Sequence, residues 1–332
     1  MIKNICRILI GIVMLSSCNE TAQYYEESGS VFHTLYHIKY QAPEPLTEKI
    51  DAELQAFNLT FNPFNPNSMI SKVNRNEDVE LNDRFINVFE KAMEVSENSG
   101  GAFDVTVSPL INLWGFGFGK AEEVTQDKID SIMTFVGYRK IRIENRRIIK
   151  DDRRIELNFS AIAKGFASDV IAGLLEREMV ENYMVEIGGE VVAKGKNPRG
   201  ECWNIGINKP ENDSTGFANQ IERIISLCGR KGLATSGNYR NYYIKDGKKY
   251  AHTIDPKTGY PSENTILSAT IVAPDCMTAD AYATAFMSLG REAALEMANK
   301  LPDVEYLIIT AKEETGGYEI EYSQGLRRML KN

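Results

Sequence analysis

Histidine is nearly absent, with 3 in 332 residues. A histidine-rich metal centre is therefore excluded, and any imidazole chemistry has few places to sit. Cysteine is also scarce, at 5 residues. Beyond Cys18, only Cys202, Cys228 and Cys276 remain, an odd number without metal-ligand spacing. They read as small buried hydrophobes rather than a disulfide framework. Basic residues are outnumbered, 38 against 46 acidic ones, for a net charge of −8. Nucleic acid as a partner is thereby excluded, because phosphate neutralisation needs clustered Lys and Arg. No apolar run reaches the roughly 20 residues that span a bilayer. Walker and dinucleotide fingerprints, internal repeats and long low-complexity tracts are missing too.

What is present begins with an export pattern. Lys3 and Arg7 precede a short apolar stretch from Ile8 to Leu15, and Leu15-Ser16-Ser17-Cys18 follows. Residues 1–17 read as a signal peptide and Cys18 as the lipidated first residue of the mature chain, a lipobox arrangement. The alternative is a signal peptide with a chance cysteine near its cut. Residues 18–29 are polar and read as a tether, and one domain follows over 30–332.

Val31 to Tyr40 alternates, with Phe32, Thr34, Tyr36, Ile38 and Tyr40 on one face and His33 and His37 on the other. This predicts a half-buried strand. On such a strand the two rings lie roughly 13 Å apart, at about 3.3 Å per residue, too far to share one ion. Helices are expected from Leu46 to Phe61, after the cap Asn82, from Gln126 to Val136, and from the 160s to about Glu181. Short strands are expected at 140–144, 147–150 and 153–158. Gly188-Gly189 reads as a tight turn between two strands.

The chemistry-bearing stretches come between these elements. Ser99 to Gly117 interleaves glycines with aromatics, which lets a flat ring lie against side chain and backbone. Asn158 to Asp169 turns from a strand into a helix whose free N–H groups, with Lys164, favour an anionic phosphate. Ser236-Gly237-Asn238-Tyr239-Arg240 leads to a hairpin, and that hairpin delivers the chain to His252-Thr253-Ile254-Asp255-Pro256-Lys257-Thr258-Gly259-Tyr260-Pro261. Pro256 keeps Asp255 out of the α region and Gly259 supplies positive φ, so this is a rigid, bent loop with an imidazole at its rim. In Met277 to Phe286, Asp280 and Thr284 lie one helical turn apart among alanines. They read either as a hard-oxygen pair suited to Mg²⁺ or as a solvated i,i+4 pair.

Taken in this order, the motifs closely resemble the ApbE family of FAD:protein FMN transferases over nearly all the chain after residue 30. The resemblance implies an α+β, two-lobed fold related to T-fold proteins, with helices packed on sheets and an FAD cleft between the lobes. It implies transfer of the FMN half of FAD to a Ser or Thr hydroxyl of an acceptor flavoprotein, with release of AMP and Mg²⁺ as cofactor. The acceptors it implies belong to membrane redox complexes, and the lipid anchor would hold the chain at a membrane facing the periplasm. Rival readings are a Mg-dependent FAD pyrophosphatase giving free FMN and AMP, and a non-catalytic flavin-binding lipoprotein. By resemblance Phe32, Phe64, Ala102, Phe103, Asp104, Asn158, Lys164, His252 and Ile254 contact FAD. His252 is also the catalytic residue, a general base, and Ala161, Asp280 and Thr284 hold the metal. The chain departs from the family at Phe32-His33-Thr34, where Met-Gly-Thr is common, and at Asn158 and Ala283, where acids occur.

Overall fold

Tyr36, Ile38 and Tyr40 turn inward and His37 outward, as their alternation predicts. In the computed structural model they belong to an antiparallel sheet around which the other elements are arranged. Residues 22–117, 123–210, 220–238, 242–245, 248–251, 253–262, 264–312 and 317–331 are described, 242–245 and 248–251 as backbone alone. Cys18, His252 and the segment 1–17 lie outside the described residues.

The first half of the chain forms β1 (Gln23–Val31), β2 (Thr34–Ala42), α1 (Thr47–Phe61), α2 (Met69–Asn74), α3 (Asp83–Asn98), α4 (Ser108–Leu113), α5 (Gln126–Met133), β3 (Ile141–Glu144) and β4 (Arg147–Lys150). Next come α6 (Ala163–Arg177), β5 (Tyr183–Ile187), β6 (Glu190–Lys194), β7 (Trp203–Asn208), β8 (Ile221–Leu227), β9 (Lys231–Gly237), β10 (Tyr242–Lys245) and β11 (Lys248–Ala251). The chain finishes with β12 (Ile266–Ala273), α7 (Cys276–Leu289), α8 (Arg291–Ala298), β13 (Glu305–Ala311), β14 (Tyr318–Tyr322) and α9 (Gln324–Arg327).

Among the described residues, eight strands make one sheet in the order β1-β2-β5-β6-β9-β12-β13-β14. The largest hydrophobic core fills the face covered by α1, α3, α6 and α7, with Phe57, Phe85, Ile171 and Phe286 among its residues. Trp203, Ile207, Ile225 and Leu326 pack on other residues of the same strands, bringing the β7–β8 hairpin and α9 against the sheet. A smaller cluster of Leu110, Trp114, Ile129 and Ile254 joins α4 and α5 to the loop after β11. The fold is thus mixed α and β, as expected.

Several expectations need correction. Residues 23–29 are not a tether: they belong to β1, whose backbone pairs with β2 from Gln23↔Ala42 to Val31↔Thr34. Their polarity is that of an edge strand with a wet face. The alternating run from Val31 is broken at Phe32 and His33, which have φ of 51° and 59° and form the two-residue turn of this hairpin. His33 therefore sits in a turn against Phe64, ring centroids 4.3 Å apart, while His37 bonds Ser28. Residues 153–158 form no strand, and the helices α5 and α6 end earlier than their periodicity suggested.

Cys202 and Cys228 are not free hydrophobes but a disulfide, with Cα atoms 5.0 Å apart. They flank the β7–β8 hairpin, whose register sets Trp203 opposite Leu227 and so brings the neighbouring cysteines together. Parity misled because the third cysteine, Cys276, is buried at the start of α7 and unpaired.

Candidate active site

α6 and α7 cross closely enough that a Cβ at Gly165 would come within 2.3 Å of the Cys276 carbonyl oxygen. Only glycine fits there. The two helices are also stitched reciprocally. Gly165 N–H in the first turn of α6 donates to Asp280 Oδ2 of α7 at 3.0 Å. In return Asp169 of α6 accepts the N–H groups of Cys276 at 3.0 Å and Met277 at 2.7 Å, capping α7. The N-cap side chain of Asp275 takes a third, from Thr278.

This crossing forms the polar end of a cavity of about 510 Å³. Lys164, Ala161, Asp280 and Thr284 line it there, and Ala102, Phe103, Val107, Ile111 and Ile254 make an apolar wall. Asn158 lines it too, and with Lys164 it also lines an adjoining cavity of about 180 Å³ bounded by Phe32 and Phe64. The described residues expected to form the site are therefore gathered around two joined cavities.

Their side chains are not all free. Asp104 Oδ1 accepts from Thr106 N–H at 2.7 Å and from its hydroxyl at 2.6 Å, and Oδ2 accepts from Tyr138 N–H at 2.7 Å. Burial pushes its pKa up while these bonds pull it down. Its carboxylate is thus spent on shaping the loop. Asn158 Oδ1 likewise accepts its neighbour's Ser160 N–H at 2.8 Å. Asp255 accepts from Lys257 N–H at 2.9 Å and from the Thr258 hydroxyl at 3.2 Å, so it braces its own turn. Gly259 closes that turn at φ 77°, and its carbonyl accepts Trp114 Nε1–H at 2.8 Å. At the β1–β2 turn, His33 holds a φ of 59°, a conformation that only glycine adopts without strain.

Charge at the polar end is unbalanced. Lys164 Nζ pairs with Glu190 Oε1 at 2.5 Å, and Asp280 stands in the same cavity, so one ammonium, bonded to Glu190, faces a second carboxylate. Burial raises the pKa of both acids, and Lys164 opposes the rise. Burial alone would lower Lys164, but Glu190 and Asp280 outweigh it and hold the ammonium charged. Thr284 Oγ1 lies 3.2 Å from Ser236 Oγ. Among the described residues no three His, Cys, Asp or Glu side chains form a metal cluster. An oxygen set with one carboxylate, a hydroxyl and a carbonyl still fits Mg²⁺, which binds few protein groups and completes its shell with water and phosphate oxygens.

Glu190, Thr235, Ser236 and Thr253 line the cavity although no role had been read for them. For Glu190 the available signal was an acid directly after Gly-Gly and ahead of the apolar run Val191-Val192-Ala193.

The ApbE family profile matches residues 32–308. An FAD:protein FMN transferase from Haemophilus influenzae is 37% identical over 327 residues, covering 92% of this chain and 93% of the relative. Among solved structures, the flavin transferase ApbE from Vibrio cholerae is similar with a TM-score of 0.82 at 33% identity, covering 93% of this chain and 99% of that one. The apo form of the Pseudomonas stutzeri flavinyl transferase ApbE gives 0.80 at 28% identity, covering 93% and 97%.

Proposed function

This chain belongs to the ApbE family and transfers FMN from FAD to a protein, and from that premise we propose how its cavity serves the reaction. The observation that carries the assignment is the α6–α7 crossing, which gathers Lys164, Ala161, Asp280 and Thr284 in one cavity with the apolar side chains of Ala102, Phe103, Val107, Ile111 and Ile254. The isoalloxazine ring of FAD lies along Ala102, Phe103 and Ile254, with Phe32 and Phe64 at the adjoining opening. The pyrophosphate faces Lys164. Mg²⁺ is held by the Asp280 carboxylate, the Thr284 hydroxyl and the Ala161 carbonyl; when bound it supplies positive charge against the charge that grows on the leaving oxygen.

The acceptor hydroxyl oxygen bonds to the FMN phosphorus, the pyrophosphate P–O bond breaks, and AMP leaves with the bridging oxygen. The hydroxyl proton passes to His252, the side chain nearest in ordinary pKa to the task. Lys164 keeps the pyrophosphate in place, and the apolar wall excludes water from the flavin side.

The acceptor hydroxyl belongs to Ser or Thr of an exported flavoprotein in a membrane redox complex, and lipid on Cys18 anchors the chain at the membrane, facing the periplasm. The lipobox supports this, and so does the Cys202–Cys228 disulfide, since such bonds persist in oxidising compartments. Cys18→Ser should leave the chain without an acyl group; metabolic lipid label on that variant would rule the anchor out.

The function is tested by incubating the purified protein with FAD, Mg²⁺ and a candidate acceptor. Covalent flavin on the acceptor with stoichiometric AMP is expected, lost with EDTA and strongly reduced in His252→Ala. Free FMN would instead indicate hydrolysis, and unchanged FAD a carrier.

A further inference from the structure

We propose that Glu190 is a positioning residue for transfer: it holds the Lys164 ammonium at the polar end of the cavity and away from Asp280, leaving Asp280 available to a cation. This rests on the transfer reading above and adds a residue that reading does not use.

Glu190 opens β6 directly after the Gly188-Gly189 turn, and the next three residues of the strand are buried. Its side chain is only 5% exposed. One oxygen, Oε1, accepts from Lys164 Nζ at 2.5 Å, while the buried Oε2 has no hydrogen-bond partner among the described residues. A buried carboxylate with half its acceptors unused is an expensive arrangement for a fold to keep. Its carbonyl accepts the Ser168 hydroxyl at 2.9 Å, so Glu190 grips α6 through two residues one turn apart. Gly188 completes the arrangement from below: a Cβ there would come 3.0 Å from Lys164 Cδ. The bare turn gives the lysine stem its path, and Glu190 fixes its end.

Lysine is a point charge on a flexible stem, so its position is set by its partner. The other carboxylate whose charge Lys164 feels is Asp280. Without Glu190, the remaining buried carboxylate acting on the ammonium, among the described residues, is Asp280. Pairing there would neutralise the only carboxylate in the cation site and draw the lysine off the phosphate.

The test compares wild type, Glu190→Gln, Glu190→Ala, Lys164→Met and the Glu190→Ala/Lys164→Met double variant. FAD affinity is measured by flavin fluorescence with and without Mg²⁺, beside melting temperature and FMN transfer. Both Glu190 variants should weaken the Mg²⁺ enhancement of FAD affinity by about tenfold, the scale of a lost charge-assisted hydrogen bond. The double variant should regain the enhancement of Lys164→Met alone, because no ammonium remains to occupy Asp280. A merely structural glutamate gives no such recovery. A double variant as weak as Glu190→Ala, a wild-type enhancement in Glu190→Gln, or no enhancement in wild type would each overturn the proposal. Should Glu190→Ala fail to fold, Glu190→Gln and Glu190→Gln/Lys164→Met carry the same comparison with side-chain volume kept. Absence of FMN transfer by wild type counts against the transfer reading; wild-type transfer without the recovery counts against Glu190 alone.

Discussion

Asp280 divides its carboxylate between architecture and, in our reading, a cation. Oδ2 accepts the Gly165 N–H, and the residue is buried at 3% exposure in the second turn of α7. It supplies the only full negative charge in the proposed Mg²⁺ set, so the FAD phosphates must complete the shell and the two should bind cooperatively. Asp280→Asn, which can still accept from Gly165, should abolish that coupling with little loss of stability. Thr284→Ala should only reduce it, since a neutral ligand is lost. FAD titration with and without Mg²⁺ reads both; equal affinity in wild type would leave α7 a purely structural helix. Asp280 and Thr284 were legible in the sequence because an i,i+4 pair on an alanine-rich helix faces one way. Glu190 was not, because its importance lies in a lysine brought to it by the fold. Asp104 was legible as lining the site, but not that Thr106 and Tyr138 occupy its oxygens.

The α6–α7 pair carries the polar end of the site as a unit. Gly165→Ala would drive a methyl into the Cys276 carbonyl, so the helices must separate, at a cost of about 1–3 kcal/mol. A lower urea midpoint together with weaker Mg²⁺-dependent FAD binding is expected; unchanged values for both would show that the crossing tolerates a side chain. Asp169 of α6, which accepts the first N–H groups of α7, offers a pH test. Burial, reinforced by the charge of Asp275, raises its pKa to about 7, against the pull of Cys276 and Met277 N–H and of Arg230. Between about pH 4 and 7 the folded protein then holds a proton that the unfolded chain has released, so stability from this group falls as pH rises through that window. Asp169→Asn should remove this slope. Urea midpoints from pH 4 to 7.5 check it, and identical pH profiles for the two proteins would contradict it.

At the scale of the whole molecule, the β7–β8 hairpin packs its apolar side on the main sheet and is closed by the Cys202–Cys228 bridge. The bridged cysteines are 26 residues apart, and the bond should add about 3–4 kcal/mol through the unfolded chain it restrains. Reduction, or Cys202→Ser with Cys228→Ser, should lower the melting temperature while FMN transfer by the folded protein persists, since neither cysteine lines the cavity. Loss of transfer at temperatures where the variant remains folded would tie this hairpin to the site.

Local sequence alone determined the elements whose signals lie within a few residues: the Asn82 cap, which accepts from Phe85 N–H, the Gly188-Gly189 turn, and the positive φ of Gly259. It also determined the family, because the motifs that mark it are short and ordered along the chain. Tertiary structure decided the rest. The β1 edge strand has no periodic apolar face to announce it and exists because β2 offers a ladder. The cysteine pairing depends on hairpin register, and the Lys164–Glu190–Asp280 charge cluster on three elements far apart in sequence. Contacts of that kind are set by which surfaces pack together, and no window of neighbouring residues contains that information.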